Sequence, residues 1–304
     1  MTDIVRGPGG LSFLDIQNEL VRARICLQGG QILEWQPRHA RAPVLWVSNN
    51  ARYVPGKSVR GGIPVCWPWF GPHSENVKFP AHGFARNLPW TLRDSQTSAD
   101  GAVALILELA MAGDERIRGS DGVARRVEEY WPHAFALELH AVLGATLQVE
   151  LRTRNRSPDD VIVGEALHSY FRVGEVAQVS VHGLDALEFA DKTCGDVHRR
   201  QEGPVRCEGE VDRVYFDKGP ACFVDDPVLE RRIRVRKSAS AATVVWSPGP
   251  ERARHFADLG LAGDGREGWR EMICVESANV LDACVRVPAG AEHRMSLEIA
   301  VENR

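Results

Sequence analysis

The amino-acid sequence predicts an all-β protein, built as a sandwich or a barrel of many short strands. Apolar and polar residues alternate with a period of two along many segments, whereas helical patterns are scarce. Turn-forming sequences, such as GPGG at 7–10 and NRSPDD at 155–160, separate these segments. Because long helices do not alternate with the strand-like segments, a sandwich or a barrel is the expected architecture.

Five segments alternate clearly enough to be predicted as half-buried strands, each with one face toward the core. In chain order they are 21–27, 135–140, 146–154, 233–236 and 295–301. Two continuous apolar runs, 103–109 and 243–246, are predicted as strands that are buried on both faces.

Three further segments complete the backbone prediction. A short helix is expected over 251–259, because Pro250 precedes it and Gly260 follows it. The polar segment 113–132 is predicted as a long hairpin or a loop. The basic run 231–237 is interpreted as the solvated face of an edge strand, where charges discourage pairing with another sheet.

The composition argues against several classes of protein. The 304 residues include 37 Lys and Arg and 41 Asp and Glu, so the net charge of −4 leaves no positive excess for nucleic acid. No apolar run reaches the roughly 18 residues of a membrane span, and the N-terminus lacks the apolar part of a signal peptide. Seven cysteines without a CxxC pair indicate free thiols in a reducing cytoplasm. We expect residues 1–304 to form one domain, a cytoplasmic monomer without nucleic-acid or membrane partners.

Two segments rich in Pro and Gly carry arginines that are candidates for ligand binding. Segment 59–72 (VRGGIPVCWPWFGP) is either a buried connection or a rigid loop that points Arg60 and aromatic rings into a cleft. Segment 80–90 (PAHGFARNLPW) holds His82 beside a glycine, and Arg86 follows four residues later. Since a guanidinium group matches the oxygens of a phosphate, Arg60 and Arg86 together are suited to clamp one.

Three further polar side chains interrupt strand-like segments. His168 lies in GEALHSYFRV, where partial burial beside a carboxylate would bring its pKa close to neutrality, as suits an acid or a base. Glu276 interrupts the apolar run of EMICVESANVLD, so it is either a buried carboxylate with hydrogen-bond partners or a catalytic group. Asp212, in EVDRVY, is either a surface residue of a strand or an acceptor for ligand hydroxyl groups.

Motifs for metals, cofactors and covalent catalysis are missing from the sequence. It contains no HExxH, EF-hand loop, Cys/His cluster, P-loop or GxGxxG before a helix, and no GxSxG elbow. We therefore expect neither a metal nor a cofactor. The predicted site consists of acid–base groups and two arginines.

Four of these motifs, in their order and spacing, resemble one known family. RGGIPVCWPWFGP, AHGFARNLPW, GEALHSYFRV and EMICVESANV are similar to the glucose-6-phosphate 1-epimerase family, the hexose-6-phosphate mutarotases of the aldose 1-epimerase superfamily. The resemblance implies a large antiparallel β-sandwich of the galactose-mutarotase type, with few short helices. It also implies a cofactor-independent isomerase that interconverts the α and β anomers of an aldohexose 6-phosphate, with glucose 6-phosphate as the expected substrate.

Matched by position, the resemblance assigns roles to individual residues. His168 resembles the catalytic histidine of the family, and Glu276 resembles its catalytic glutamate. The substrate-binding residues are matched by Arg60, His82, Arg86 and Asp212. The two arginines resemble those that bind the phosphate, and the aspartate resembles the one that holds sugar hydroxyls. We expect Glu276 to act as the base on the anomeric hydroxyl and protonated His168 to act as the acid on the ring oxygen.

Two departures from the family pattern and three alternative functions stay open. Ala81 stands where some relatives carry a Gln that contacts substrate, and SPGP at 247–250 replaces an NPW-like sequence. The alternatives are an aldose 1-epimerase for unphosphorylated sugars, a non-catalytic sugar-binding sandwich, and a glycoside hydrolase that uses Glu276 and Asp212 as a carboxylate pair.

Overall fold

Short strands are the main secondary structure in the computed structural model, which describes residues 3–111, 113–260 and 267–304. In chain order the strands of these residues are β1 Asp3–Arg6, β2 Ser12–Gln17, β3 Val21–Cys26, β4 Gln31–Pro37, β5 Val65–Cys66, β6 Thr91–Thr97, β7 Val103–Leu109, β8 Arg116–Arg118, β9 Ala124–Arg126, β10 Phe135–Leu143, β11 Leu147–Asn155, β12 Val161–Val163, β13 Glu165–Leu167, β14 Tyr170–Arg172, β15 Ser180–His182, β16 Glu188–Asp191, β17 Val197–Arg200, β18 Val205–Arg206, β19 Val211–Phe216, β20 Ala221–Asp226, β21 Arg231–Ser238, β22 Ala242–Ser247, β23 Met272–Asn279, β24 Val285–Val287 and β25 Glu292–Asn303. The α-helices are α1 Val127–Tyr130 and α2 Gly249–Ala253, and short 3-10 helices span Pro8–Gly10, Ala85–Asn87, Val176–Gln178, Lys192–Cys194, Gly268–Glu271 and Leu281–Ala283.

Most of the strands form two large antiparallel sheets that pack as a sandwich, and β1–β4 form a separate four-stranded sheet. One sheet has nine strands in the order β18-β15-β20-β21-β25-β11-β10-β7-β6. The other has eight strands, in the order β17-β16-β19-β22-β23-β13-β5, with β14 also paired to β23. Buried side chains of both sheets, such as Leu151 of β11 and Val275 of β23, belong to one apolar cluster. The predicted all-β sandwich is confirmed.

Burial alternates from residue to residue along the strands, as the period-two pattern of the sequence predicts. In β10, Leu137 and Leu139 are buried in the core, whereas Val142 points outward. The run 103–109 forms β7, but the prediction that both of its faces are buried is wrong, because Ala104 and alternate residues point away from the core. The same prediction is confirmed for 243–246, which lies in the almost fully buried strand β22.

The basic run 231–237 lies inside the nine-stranded sheet and not at its edge. Its strand, β21, pairs with β20 on one side and with β25 on the other. Ile233 and Val235 point into the core, while Arg232 lies with Nε 2.5 Å from Oδ1 of Asp225 on β20. The prediction of an edge strand is wrong because carboxylates on the neighbouring strands offset charges that would otherwise oppose pairing.

The predicted helix is shorter than expected and begins earlier. It spans Gly249–Ala253, whereas 251–259 was expected, and turns follow it. These turns bring the carbonyl of Asp258 to 2.5 Å from the hydroxyl of Ser48, which donates a hydrogen bond to it. The segment 113–132 contains the hairpin β8–β9, one of the two structures expected for it. Within the described residues, no helix has the length and apolar character needed to cross a membrane.

The cysteines are free thiols, as predicted. Cys194 and Cys284 are exposed, and the other five are buried. Burial raises the pKa of the Cys66 thiol to about 12. A buried thiol with such a pKa is an inert, small apolar side chain.

Candidate active site

Sheet pairing places the side chains of His168 and Glu276 next to each other. The strands that flank His168, β13 and β14, both pair with β23, which carries Glu276. Leu167 of β13 is opposite Ser277 of β23, so the next residue along the chain, His168, comes beside Glu276. Nδ1 of His168 lies 3.2 Å from Oε1 of Glu276. We call these two residues the acid–base pair.

Both members of the acid–base pair are buried, and both have polar atoms without partners. Their side chains are 9% and 1% exposed, for His168 and Glu276 respectively. Among the described residues, Nδ1 of His168 and Oε2 of Glu276 have no well-aligned hydrogen-bond partner. Since buried polar groups in native proteins are nearly always paired, two such atoms on neighbouring side chains indicate a site that a ligand completes.

The surroundings favour the neutral form of both groups. Burial, followed by the positive charges of Arg86 and Arg60, lowers the pKa of His168 to about 3. Burial, followed by the negative charge of Asp212, raises the pKa of Glu276 well above its usual value, and Arg86 acts in the opposite direction. Burial is thus the first cause of both shifts, and it opposes the imidazolium form of His168 as well as the carboxylate form of Glu276. The near-neutral pKa that was expected for His168 is wrong, because its burial is deep and two arginines face it.

The guanidinium group of Arg60 lies between the carboxylate of Asp258 and the phenol of Tyr170. Its backbone position depends on Gly61, which has a φ of 121° and whose added Cβ would lie 2.3 Å from the carbonyl oxygen of Trp46. Nε of Arg60 donates to Oδ2 of Asp258 at 3.1 Å, and Nη1 donates to the hydroxyl of Tyr170 at 3.1 Å. Burial opposes the charge of Arg60, but Tyr170 and Asp258 outweigh it and raise the pKa of the guanidinium group.

The segment HGFAR brings a second arginine and a second histidine to the same place. Nη2 of Arg86 donates to the carbonyl of Ala81 at 2.8 Å, while its buried Nε has no partner among the described residues. The ring of His82 lies 5.6 Å from that of His168, and its Nδ1 accepts a hydrogen bond from the backbone N–H of Gly71 at 3.3 Å. Burial and then Arg86 lower the pKa of His82 well below its usual value.

All six residues that the sequence predicted for the site line one cleft of about 1280 Å³. They are Arg60, His82, Arg86, His168, Asp212 and Glu276. Asp212 reaches the cleft from β19, where it is paired with Trp246 of β22. Burial raises the pKa of Asp212 to about 6, against the opposing charge of Lys192.

The sequence analysis missed other residues that line the cleft, among them Tyr170, Lys192, Trp246 and Asp258. The ring of Tyr170 stacks on that of His168, with 4.7 Å between centroids and 7° between planes. Its position two residues after His168 was a usable signal, because alternate residues of an extended segment share a face. Lys192 lies in a short 3-10 helix, and Nζ is 3.1 Å from Oδ1 of Asp196. Nothing in its sequence context marked it as a site residue.

Comparison with known proteins identifies the family. Residues 12–300 match the family model of aldose 1-epimerase. The chain belongs to the aldose 1-epimerase family. It is 36% identical over 270 residues to an Escherichia coli K12 protein named "Putative glucose-6-phosphate 1-epimerase", an alignment that covers 88% of this chain and 83% of that protein. The family predicted from the motifs is confirmed, and the chain is an isomerase.

Solved structures agree with this assignment. The crystal structure of a Salmonella typhimurium protein described as a "putative mutarotase" matches with a TM-score of 0.84 and 32% identity, over 97% of this chain and 91% of that one. A galactose mutarotase-like protein from Clostridium acetobutylicum shares the fold with a TM-score of 0.71 at 13% identity, over 100% of this chain and 99% of that one. The galactose-mutarotase type of sandwich is therefore confirmed.

The aromatic rings of loop 59–72 are arranged differently from the expectation. Trp67 is packed in the core, and Nε1 of Trp69 donates to the carbonyl of Pro80 at 2.9 Å. Among the described residues that line the cleft of the epimerase, Phe70 is the only aromatic side chain from this loop. The loop therefore contributes mainly Arg60 and a rigid frame.

The two departures from the family pattern lie beside the cleft. Ala81 contributes its backbone carbonyl, which accepts the hydrogen bond from Arg86. Segment 247–250 ends β22 and begins α2, and its neighbours Trp246 and Arg252 line the cleft. The wall of the epimerase cleft at this point is thus built by residues that flank the altered sequence.

The hairpin β8–β9 forms one side of the mouth of the cleft. Arg116 and Arg118 of this hairpin line the mouth. The hydroxyl of Ser120 donates to the carbonyl of Phe79 at 2.7 Å, and its backbone N–H donates to the carbonyl of Lys78 at 2.8 Å. These two hydrogen bonds fasten the tip of the hairpin over the segment that precedes HGFAR.

One group of side chains in the described part of the epimerase has the composition of a metal site. The potential ligand atoms of His168, Cys274 and Glu276 lie within 4.8 Å of one another. A metal would require the thiolate, but burial and then Glu276 raise the pKa of Cys274 well above its usual value. The charges of Arg60 and Arg86 act on the same space, so these surroundings disfavour a bound cation.

Proposed function

We propose that this epimerase interconverts the α and β anomers of an aldohexose 6-phosphate, with glucose 6-phosphate as its main substrate. The observation that carries the proposal is the 3.2 Å contact between His168 and Glu276 in a cleft that also holds Arg60 and Arg86. An acid–base pair suits the opening of a sugar ring, and two guanidinium groups suit a phosphate dianion. The name of the Escherichia coli relative supports the same substrate.

The reaction opens a cyclic hemiacetal and closes it on the other face of the carbonyl. With substrate bound, the carboxylate of Glu276 takes the proton of the anomeric hydroxyl, while His168, protonated in that complex, gives a proton to the ring oxygen. The aldehyde then rotates about its C1–C2 bond. In ring closure the C5 hydroxyl returns a proton to His168, and Glu276 gives one to the anomeric oxygen. Each acid–base contribution of this kind is worth about 10²- to 10⁴-fold in rate.

The other predicted residues bind the substrate in this proposal. Arg60 and Arg86 hold the phosphate at one end, so that the reacting carbon stays free to rotate at the other. Asp212 accepts hydrogen bonds from sugar hydroxyl groups. His82, which is next to His168 in the cleft, assists at the anomeric end.

A second candidate is an aldose 1-epimerase that acts on unphosphorylated sugars. One observation favours it: Arg60 already has partners, Asp258 and Tyr170, before any phosphate is considered. The side chain of Asp258 is partly exposed, however, so a phosphate can approach Arg60 without displacing a fully buried ion pair.

Polarimetry distinguishes these candidates. Freshly dissolved α-glucose 6-phosphate and α-glucose are followed in parallel, with the Glu276→Gln variant as the control. Acceleration of the phosphosugar alone, lost in the variant, supports the proposed function and the role of Glu276 together. Equal acceleration of both sugars favours the aldose 1-epimerase, and acceleration of neither leaves a non-catalytic sugar-binding sandwich.

We also propose that residues 1–304 act as one catalytic domain and as a cytoplasmic monomer, without cofactor, nucleic acid or membrane. The absence of a linker-like composition shift along the sequence supports the single domain. Sedimentation equilibrium tests the monomer, since a mass of two or more chains would contradict it.

A further inference from the structure

Lys192 follows strand β16 at the point where this strand passes Asp212. Strands β16 and β19 are antiparallel, and Asp191 is opposite Arg213. The next residue of each chain segment along this register is Lys192 on one side and Asp212 on the other. Opposite residues of an antiparallel pair point to the same face of the sheet, and both side chains line the cleft. The cleft therefore has a lysine beside the carboxylate that is proposed to hold sugar hydroxyls.

A row of opposite residues runs from this lysine across the sheet. Asp212 is opposite Trp246, Trp246 is opposite Cys274, and Cys274 is opposite Tyr170. The order along the row is therefore Lys192, Asp212, Trp246, Cys274 and Tyr170, with neighbours about 4.8 Å apart. Lys192 and Tyr170 lie at opposite ends of the row, so a ligand that lies along it presents different ends to the two residues.

The Tyr170 end of the row is the end of the phosphate and the ring oxygen. The hydroxyl of Tyr170 accepts a hydrogen bond from Arg60, and its ring stacks on that of His168. In a pyranose ring the ring oxygen is opposite C3, and C5, which carries the C6 phosphate, is opposite C2. A sugar whose phosphate is on Arg60 and whose ring oxygen faces His168 therefore turns C2 and C3 toward Asp212 and Lys192.

The two polar groups at this end of the row have hydrogen-bonding capacity to spare. Nζ of Lys192 lies 3.1 Å from Oδ1 of Asp196, which uses one of its three donors, and its side chain is only 24% exposed. Within the described part of the chain, no hydrogen bond to the carboxylate of Asp212 is found. Burial is the main cause of the shifted pKa values of Asp212 and His82, and the charge of Lys192 also acts on both groups. Its ammonium group is thus directed over the cleft.

We propose that Lys192 is a specificity-determining residue of this epimerase, which donates a hydrogen bond to the C3 hydroxyl of the sugar beside the hydroxyl that Asp212 accepts. The inference rests on the proposed function, because it takes the phosphate to lie on Arg60. A carboxylate and an ammonium group side by side match two neighbouring hydroxyls, of which one donates and the other accepts. A hydrogen bond from a charged donor corresponds to about tenfold to hundredfold in kcat/KM.

The test combines one variant with substrates that lack one hydroxyl. Lys192→Met removes the donor and keeps the length of the side chain. We expect the wild type to prefer glucose 6-phosphate over 3-deoxyglucose 6-phosphate by about tenfold or more in kcat/KM, and Lys192→Met to reduce this preference to about threefold or less. The preference over 4-deoxyglucose 6-phosphate should stay the same in both proteins. An unchanged preference over the 3-deoxy sugar would overturn this inference alone, whereas no turnover of glucose 6-phosphate by the wild type would overturn the proposed function as well.

Two control variants separate binding from a structural role. Lys218→Met, at an exposed lysine in the turn after β19, is expected to leave every preference unchanged. Asp196→Asn removes the charge that pairs with Lys192, and asparagine tolerates the φ of 62° at this position. We expect Asp196→Asn to keep the preference for the C3 hydroxyl within about threefold of wild type. If it loses this preference as Lys192→Met does, then Lys192 acts only through the structure of its turn, and the inference fails.

A comparison on the wild-type protein avoids dependence on variant folding. In 3-deoxy-3-fluoroglucose 6-phosphate, the fluorine accepts a weak hydrogen bond but cannot donate one. If Lys192 donates to the group on C3, the fluoro sugar is a better substrate than the 3-deoxy sugar by about threefold or more, after each rate is divided by the rate without enzyme. A carboxylate at C3 in place of the lysine would give the opposite order. Equal rates, or the opposite order, would overturn the inference.

Discussion

Asn279 donates a hydrogen bond from Nδ2 to Oε1 of Glu165 at 2.9 Å, and both side chains are buried. Nε2 of His293 lies 2.8 Å from the same carboxylate oxygen, and Glu165 raises the pKa of His293. Glu165 and Glu276 are thus two buried carboxylates on neighbouring strands. Glu165 has the partners that stabilise its charge, and Glu276 does not.

This contrast predicts opposite effects of the same substitution. Burial raises the pKa of Glu276, so the cost of its burial grows as the pH rises above its unfolded pKa, near 4.5. We expect Glu276→Gln to increase the free energy of unfolding at pH 8 while mutarotation falls about 10²- to 10⁴-fold. Urea unfolding and polarimetry on the same samples measure both quantities. A variant that is less stable than the wild type would contradict the raised pKa of Glu276.

Glu165→Gln is the matched variant. It removes a charge that His293 and Asn279 stabilise, so we expect it to lower the free energy of unfolding by about 1–3 kcal/mol. Its kcat should stay within a few-fold of wild type, provided that the fold is retained. Equal effects of the two substitutions on stability would show that the hydrogen bonds of Glu165 do not distinguish the two sites.

The deep burial of His168 predicts a loss of stability in acid. Its pKa is lowered from 6.5 to about 3 in the folded protein. Between these values the unfolded chain binds a proton that the folded protein does not, so stability falls as the pH is lowered through this window. One such group contributes a slope of about 1.4 kcal/mol per pH unit. We expect the slope between pH 6 and pH 4 to be smaller by about this amount in His168→Gln, as measured by urea unfolding at each pH.

Tyr170 contacts both the acid–base pair and a candidate phosphate-binding arginine. Its ring stacks on that of His168, and its hydroxyl accepts a hydrogen bond from Arg60. Tyr170→Phe keeps the ring and removes the hydroxyl. We expect KM for glucose 6-phosphate to rise about threefold to tenfold, as for the loss of one hydrogen bond, with kcat within about twofold of wild type. Tyr170→Leu removes the stacked ring as well, and there kcat is expected to fall. Initial-rate polarimetry separates the two constants, and a fall in kcat for Tyr170→Phe would assign a catalytic part to the hydroxyl.

The two arginines make a prediction about substrate preference. Arg86 is buried and has an unpartnered Nε, so its side chain is positioned for a ligand rather than for the fold. We expect Arg86→Ala and Arg60→Ala to weaken binding of the phosphosugar and to narrow the gap in kcat/KM between glucose 6-phosphate and glucose. The measurement is the ratio of the two kcat/KM values. A ratio that is unchanged in both variants would rule out the phosphate clamp.

Gly83, in the HGFAR motif, has a steric reason to be glycine. Its φ is +69°, and an added Cβ would lie 1.9 Å from the carbonyl oxygen of Trp67. Gly71 has a similar φ of +71° but nothing within 4 Å of such a Cβ. We therefore expect Gly71→Ala to cost about 1 kcal/mol and Gly83→Ala to cost several times more, by thermal unfolding. Equal costs would mean that the backbone of Trp67 can move aside.

The sequence predicted the features that depend on local pattern. The period-two alternation identified β3, β10, β11 and β25, and the six residues singled out from short motifs all line the cleft. These signals are strong because side chains of a strand alternate between its faces, and because a site residue needs a fixed local backbone. Gly61 is an example, since it fixes the position of Arg60.

The features that the sequence did not predict depend on partners that are distant along the chain. The basic run 231–237 was predicted to lie at a sheet edge because its arginines appeared unpaired. The acids that pair with them lie on other strands, and Glu298 of β25, which pairs with Arg234, is one example. The state of His168 was mispredicted for the same reason. Its pKa follows from burial between two strands and from Arg60 and Arg86, which belong to two other segments of the chain. Pattern along one segment contains no information about such charges.

Strand β23, which carries Glu276, has no exposed residue along its whole length, and it is paired on both sides. Backbone amides in such a strand exchange with deuterium only when much of the sheet opens at once. The proton-transferring carboxylate of Glu276 therefore belongs to one of the last parts of the molecule to unfold. On heating, the enzyme should lose its working geometry and its sheet in a single cooperative event, with no inactive but folded species in between.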